Sequence, residues 1–110
     1  MRDQLTDLLK DLEIELRSQG RWESRSPAEE ALQSTQPFAV DTLSFDQWLQ
    51  WMLLPRLHEL LLTQMPLPGS CAIAPMAEEV YGRGEPGGER LVLIIADIDL
   101  LMTELSAELN

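Results

Sequence analysis

The sequence has one cysteine, one histidine, and only eight basic residues against nineteen acidic ones. A lone cysteine excludes an intrachain disulfide, and one histidine without paired cysteines offers no tetrad of ligands for a structural metal. The scarcity of Lys and Arg bears on partners. Nucleic-acid affinity draws on cations that displace phosphate counterions, so a chain of net charge -11 should be repelled by bare nucleic acid and by anionic membrane. Long apolar runs are also missing. The stretches Trp51 to Pro55, Cys71 to Ala77 and Leu91 to Ala96 fall short of the roughly 18 residues a membrane span needs. Charges interrupt the leucines of MRDQLTDLLKDLEIELRSQ every few residues, unlike the unbroken apolar core of a secretory signal, so the expected location is cytoplasmic.

A hydrophobic fraction of 45% with 25% charged residues is ordinary globular composition. A length of 110 residues suits a single domain spanning the whole chain. Leu5, Leu8, Leu9, Leu12 and Leu16 follow the i, i+3, i+4, i+7 rhythm of one helical face, and Gly20 supplies a stop near Gln19. Trp22 stands where it could fold back as an apolar plug. Ser26, Pro27 and Glu29 form a cap signature for a short second helix, followed by a connector over 34–43.

A second capping box at Ser44 and Gln47 opens a strongly apolar segment from Phe45 to Gln64. At about 100° per residue, Phe45, Leu49, Met52 and Leu60 share one face while Trp51, Leu54 and Leu61 point roughly opposite, which predicts a central helix. Pro55 removes a backbone donor inside it and predicts a kink near Trp51 to Pro55. Pro75 suits the first turn of a short helix around MAEEVY, and the glycine-rich stretch 82–88 reads as a mobile loop. From Leu91 to Leu105 the apolar residues keep helical phase for four turns. The expected fold is all-α, a compact bundle of about four to five helices with a kinked, apolar central helix.

The motifs with any bearing on chemistry are weak. Asp97 and Asp99 form a DxD, but two positions on a helix lie some 200° apart and cannot chelate one ion, which favours a solvated face. The glycines of 82–88 follow no apolar strand and lead to no Gly-Lys-Ser/Thr, so they make no phosphate cradle. His58 would need a positioned nucleophile or orienting carboxylate to act in catalysis and reads as a structural or exposed histidine, and Cys71 sits in the small apolar setting GSCAIAP without basic neighbours. Arg56 falls, in ideal phase, among Phe45, Leu49, Met52 and Leu60. Either Pro55 shifts the phase and releases it to water, or it pairs with a carboxylate such as Asp41 or Asp46. Among the tryptophans, Trp48 belongs to the core reading and Trp51 is the better candidate for a partner surface.

The segment STQPFAVDTLSFDQWLQWMLLPRLHELL, continuing to MPLPGSCAIAPMAEEVY, resembles the bacterial YqcC-like family, a domain of unknown function. The pieces that carry the likeness are Gln36-Pro37-Phe38, Asp41-Thr42, Trp48-Leu49-Gln50-Trp51, Pro55-Arg56 and Pro66-Leu67-Pro68. It implies a compact helical bundle in the bacterial cytoplasm, from a family often encoded beside tRNA pseudouridine synthase C. It supplies no catalytic residues.

The resulting expectation is a non-catalytic protein-interaction module without cofactor or metal, whose central block offers Phe38, Asp41, Trp51, Arg56 and His58 to a partner. One alternative is an accessory factor that contacts a tRNA pseudouridine synthase rather than the RNA. Others are a small-molecule-binding bundle using Asp41, Arg56 and His58, and a homodimer through the same apolar surface.

Overall fold

The computed structural model describes residues 2–35, 41–63, 73–82 and 84–109, and every regular element among them is helical. In chain order these are α1 (Arg2–Ser18), a 3-10 turn (Glu29–Gln33), α2 (Phe45–Trp48), a π-helical stretch (Leu49–Leu53), α3 (Leu54–Leu62), α4 (Ile73–Tyr81) and α5 (Gly88–Leu109). The radius of gyration is 13.7 Å, close to the roughly 13 Å expected of a compact chain of this size. Phe38, Cys71 and the Pro66-Leu67-Pro68 step lie outside the described residues.

Helix α1 forms as its leucine spacing predicts, with Leu5, Leu9, Leu12 and Leu16 buried along one stripe. It ends in a Schellman motif: the Arg21 amide donates to Leu16 O at 2.9 Å and the Gly20 amide to Arg17 O at 3.1 Å. Gly20 adopts φ +71°, a left-handed geometry that favours glycine. Trp22 then packs back on the core, with the Arg17 guanidinium 4.5 Å above its ring.

Helices α1 and α5 run antiparallel. Glu15 pairs with Arg90 at 2.9 Å near one end, while Gln4 and Leu8 share a groove with Leu101 and Glu104 near the other. The position between two helical neighbours falls to α5, which packs along both α1 and α4 and buries Leu91, Ile95, Ile98, Met102 and Leu105.

Two caps were predicted from sequence and the structure separates them. Ser44 accepts from the Gln47 amide and Gln47 reaches back to the Ser44 amide, a complete capping box. At Ser26 none forms: its hydroxyl donates to Pro27 O, and only the 3-10 turn follows, entered at Ala28 without a side-chain cap. The capping pattern loses because no residue of that turn is buried to stabilise a longer helix.

Pro55 is accommodated by the π-helical stretch before it, where the Leu54 amide donates to Leu49 O, five residues back. Such a turn takes one extra residue and rotates the remaining helix by roughly 100° relative to ideal phase. Leu53, Leu54 and Leu57 therefore take the buried positions and Arg56 is released to solvent. Of the two expectations for Arg56, the phase shift holds.

Asp99 departs from the solvated face expected of it. Asp97 is exposed, whereas Asp99 is half-buried and its Oδ2 accepts the Ala74 amide at 2.7 Å. An aspartate on α5 thus caps the first turn of α4, 25 residues away. Burial pushes its pKa up, outweighing the backbone donor that pulls it down. We expect Asp99→Ala to cost about 1 kcal/mol in urea unfolding. Asp99→Asn keeps the acceptor and removes the half-buried charge. Because the folded pKa is raised, Asp99 binds its proton more tightly when folded, and its contribution to stability falls as pH rises through the carboxylate range. The asparagine variant should therefore gain on the wild type as pH rises through the carboxylate range. An asparagine variant that instead loses ground over that interval would refute this assignment.

Candidate functional site

The end of the bundle where α1 stops, α2 starts and α4 turns into α5 carries a concentrated polar junction. The Schellman stop delivers Arg21 into it, and four of the five guanidinium N–H groups find acceptors. Nη1 donates to Asp46 Oδ2 at 3.1 Å, Nη2 to Glu85 Oε2 and Pro86 O, both at 3.2 Å, and Nε to Gln19 Oε1 at 2.9 Å. The same guanidinium lies 5.1 Å from the centre of the Tyr81 ring, whose hydroxyl donates to Asp46 Oδ1. Gln19 adds a bond to Gly87 O at 3.0 Å, so the glycine-rich segment predicted to be mobile is fastened at Glu85, Pro86 and Gly87. Gly88 opens α5 so close beneath Tyr81 that a Cβ there would stand 2.6 Å from the tyrosine Cβ.

Beside this cluster, Gln50 binds both backbone groups of Glu23. It accepts from the Glu23 amide at 2.8 Å and donates to the Glu23 carbonyl at 2.7 Å. The Glu23 carboxylate accepts from Gln47 Nε2 and from the Trp51 indole, at 3.2 and 3.3 Å respectively. Gln50 is the one buried polar residue among those described, and its two bonds make an irregular strap behave as part of the core.

The chemistry open to the junction is narrow. Burial drives the Tyr81 phenol far above its ordinary pKa, reinforced by Asp46. Burial works against the charge of Arg21, but its bonds to Asp46 and Glu85 outweigh that and move it upward too. Neither group can exchange a proton near neutral pH. A cleft of about 540 Å³ opens on this cluster, lined by Arg21, Glu23, Asp46, Gln47, Glu85 and neighbouring residues. The cluster clamps the fold together and does not work as an acid–base pair. No group of side chains suited to a metal ion occurs among the described residues, and none of the described helices is long and apolar enough to cross a membrane.

The structure describes four of the five partner residues expected from sequence. Asp41 is exposed and accepts from the Ser34 hydroxyl; Arg56 is exposed; His58 is half-buried; and Trp51 is half-buried against Glu23. Phe38 lies outside the described residues. Among the described residues no hydrogen bond or ion pair links any two of Asp41, Trp51, Arg56 and His58. Arg21, Tyr81 and Glu85 were not singled out by sequence reasoning. The available signals were an arginine directly after a helix-stopping glycine and a glutamine, Gln50, inside an apolar run.

A second surface stands out on α5. Its residues Glu89, Leu93, Asp97, Leu100 and Glu104 are all exposed and fall on one stripe of the helix, with Leu93 67% and Leu100 62% exposed.

Residues 4–101 match the model of a domain family described as tRNA pseudouridine synthase C. The chain is also 40% identical over 93 residues to the uncharacterized protein YqcC of Escherichia coli K12, spanning 84% of this chain and 83% of that one. It belongs to the YqcC family. The solution NMR structure of E. coli YqcC superimposes with a TM-score of 0.82 at 35% identity, covering 93% of this chain and 87% of that chain. The YqcC fold is therefore shared. A third relative is different in kind: a protein of Pectobacterium carotovorum named tRNA pseudouridine synthase C is 44% identical over 68 residues, 62% of this chain but 18% of that protein. Most of that protein lies outside the YqcC-like segment.

Tyr81 is the only tyrosine in the chain, so ultraviolet difference titration reads it alone. The raised pKa means that stability from this group is intact below about pH 10, the unfolded value, and is lost as pH climbs above it. We expect no tyrosinate absorbance until the chain unfolds in alkali, with both transitions coincident. A reversible midpoint near pH 10 in folded protein would show the Tyr81–Asp46 bond to be absent. In the neighbouring strap, Gln50→Leu should cost about 2 kcal/mol in urea unfolding, since both backbone groups of Glu23 lose their partner.

Proposed function

We propose that this chain is a non-catalytic interaction module, acting in the cytoplasm, that binds a tRNA pseudouridine synthase by protein contact. The observation that carries the reading is the YqcC-like segment inside the longer protein named tRNA pseudouridine synthase C. A module joined covalently to an enzyme in one organism faces it at high effective concentration. As a separate chain it needs a surface that recognises the enzyme instead.

Charge supports enzyme over RNA as the thing touched. A net charge of -11 opposes tRNA phosphates, whereas an enzyme that holds tRNA must present a basic surface of its own. Two surfaces of the chain carry groups suited to such contact. One is the central block with Asp41, Trp51, Arg56 and His58, and the other is the outer face of α5.

The test is calorimetric titration of the full chain into the synthase encoded in the same genome, with co-migration on size exclusion as the second readout. A saturable one-to-one complex with Kd of about 10 µM or tighter is expected. Absence of both heat and co-migration at concentrations of about 100 µM would overturn the proposal.

A further inference from the structure

Leu93 and Leu100 lie seven residues apart, two helical turns or about 10 Å along α5. Both are largely exposed, and both sit at the middle of the stripe that Glu89, Asp97 and Glu104 flank. A groove runs along each side of this ridge. On the α4 side a depression of about 580 Å³ is lined by Glu78, Glu85, Glu89, Val92 and Leu93 among others. On the α1 side one of about 360 Å³ is lined by Asp7, Leu8, Asp97, Leu100 and Glu104 among others. Arg90 borders the first groove, and its charge is engaged by Glu15.

From this arrangement we infer that the outer face of α5 is the docking surface for the partner enzyme, and that its occupant is a basic amphipathic helix. The inference rests on reading the chain as a module for that enzyme and specifies where and by what chemistry it binds. Two apolar side chains two turns apart match the i and i+7 anchors of a helix laid alongside. The carboxylates on both flanks select what surrounds those anchors. A neutral apolar helix would strip water from Asp7, Asp97, Glu89 and Glu104 without offering donors in return. A second copy of this chain would bring the same carboxylates face to face. Lys and Arg flanking the anchors satisfy both demands, giving an apolar centre with a charge-paired rim.

The experiment compares the wild type and four full-length variants against the same synthase by calorimetry at two salt concentrations. Leu93→Glu with Leu100→Glu should weaken binding by about tenfold or more. Asp97→Lys with Glu104→Lys should also weaken it and flatten its salt dependence. Leu62→Ser, which removes a still barer leucine from α3 (85% exposed), should bind as wild type does. Trp51→Ala with Arg56→Glu, which tests the central block as the rival surface, should bind within about twofold of wild type if α5 is the docking face. All substituted α5 positions are exposed, and circular dichroism melts of each chain check that it folds. Full binding by both α5 variants would overturn this surface while leaving the module reading intact, as would loss confined to the Trp51/Arg56 pair. A wild-type dimer dissolved by the Leu93/Leu100 change would assign the face to a second copy and overturn it as well. No binding by the wild type would remove the module reading and this inference with it.

Discussion

The guanidinium of Arg21 is the point on which the bundle's geometry depends. It joins the end of α1 to the start of α2 through Asp46, to the segment before α5 through Glu85 and Pro86, and to α4 through the face of Tyr81. These partners are 25, 64, 65 and 60 residues away along the chain, so one side chain fixes the mutual placement of elements that share little sequence proximity. A cation with so little exposure is costly to desolvate, and it is tolerated because nearly all its donors are matched. The ion pair therefore specifies arrangement more than it adds net stability. Hydrophobic burial along α1 and α5 supplies the stability.

That arrangement sets which side of α5 meets water. Gly88 starts the helix directly beneath Tyr81, where a larger residue would collide, and the helix then runs back along α1 with Arg90 tied to Glu15. With the start and direction of α5 thus constrained, its phase follows. Leu91, Ile95, Ile98 and Met102 turn inward, while Leu93, Asp97, Leu100 and Glu104 turn outward. The acidic stripe with its two bare leucines is thus a consequence of the junction at the start of the helix.

Much of the helical architecture could be read from periodicity, because α1 and α5 carry regular apolar stripes long enough to outvote local exceptions. The Ser44 box and the Gly20 stop were legible for a similar reason: each is a short-range pattern whose partners lie within a few residues. Long-range features were not. Asp99 has the local context of a solvated carboxylate, and only the approach of α4 makes it a cap. The phase of α3 was misplaced since periodicity assumes an ideal helix, and the π-helical stretch ahead of Pro55 adds a residue. Leu53, Leu54 and Leu57 inherit the core positions that ideal phase would have offered elsewhere. The candidate surface was least legible of all. The aromatic central block is the more conspicuous in sequence, yet Trp51 there is half-buried and bonded to Glu23, whereas α5 has the sequence of an ordinary amphipathic helix.

An exposed leucine on its own carries no meaning, as much of any folded surface is apolar. What distinguishes Leu93 and Leu100 is their company. Isolated carboxylates gain hydration by standing away from hydrocarbon, yet here Glu89, Asp97 and Glu104 alternate with two leucines on one stripe and overlook a groove on each side. Within a monomer that pattern serves no packing purpose: the leucines bury little and the carboxylates on the stripe form no ion pair among the described residues. A basic helix supplies what both kinds of group lack, covering the leucines and replacing water around the acids with cationic donors. On the proposed reading, the negative charge that opposes RNA phosphates is the property that suits this face to a basic protein surface.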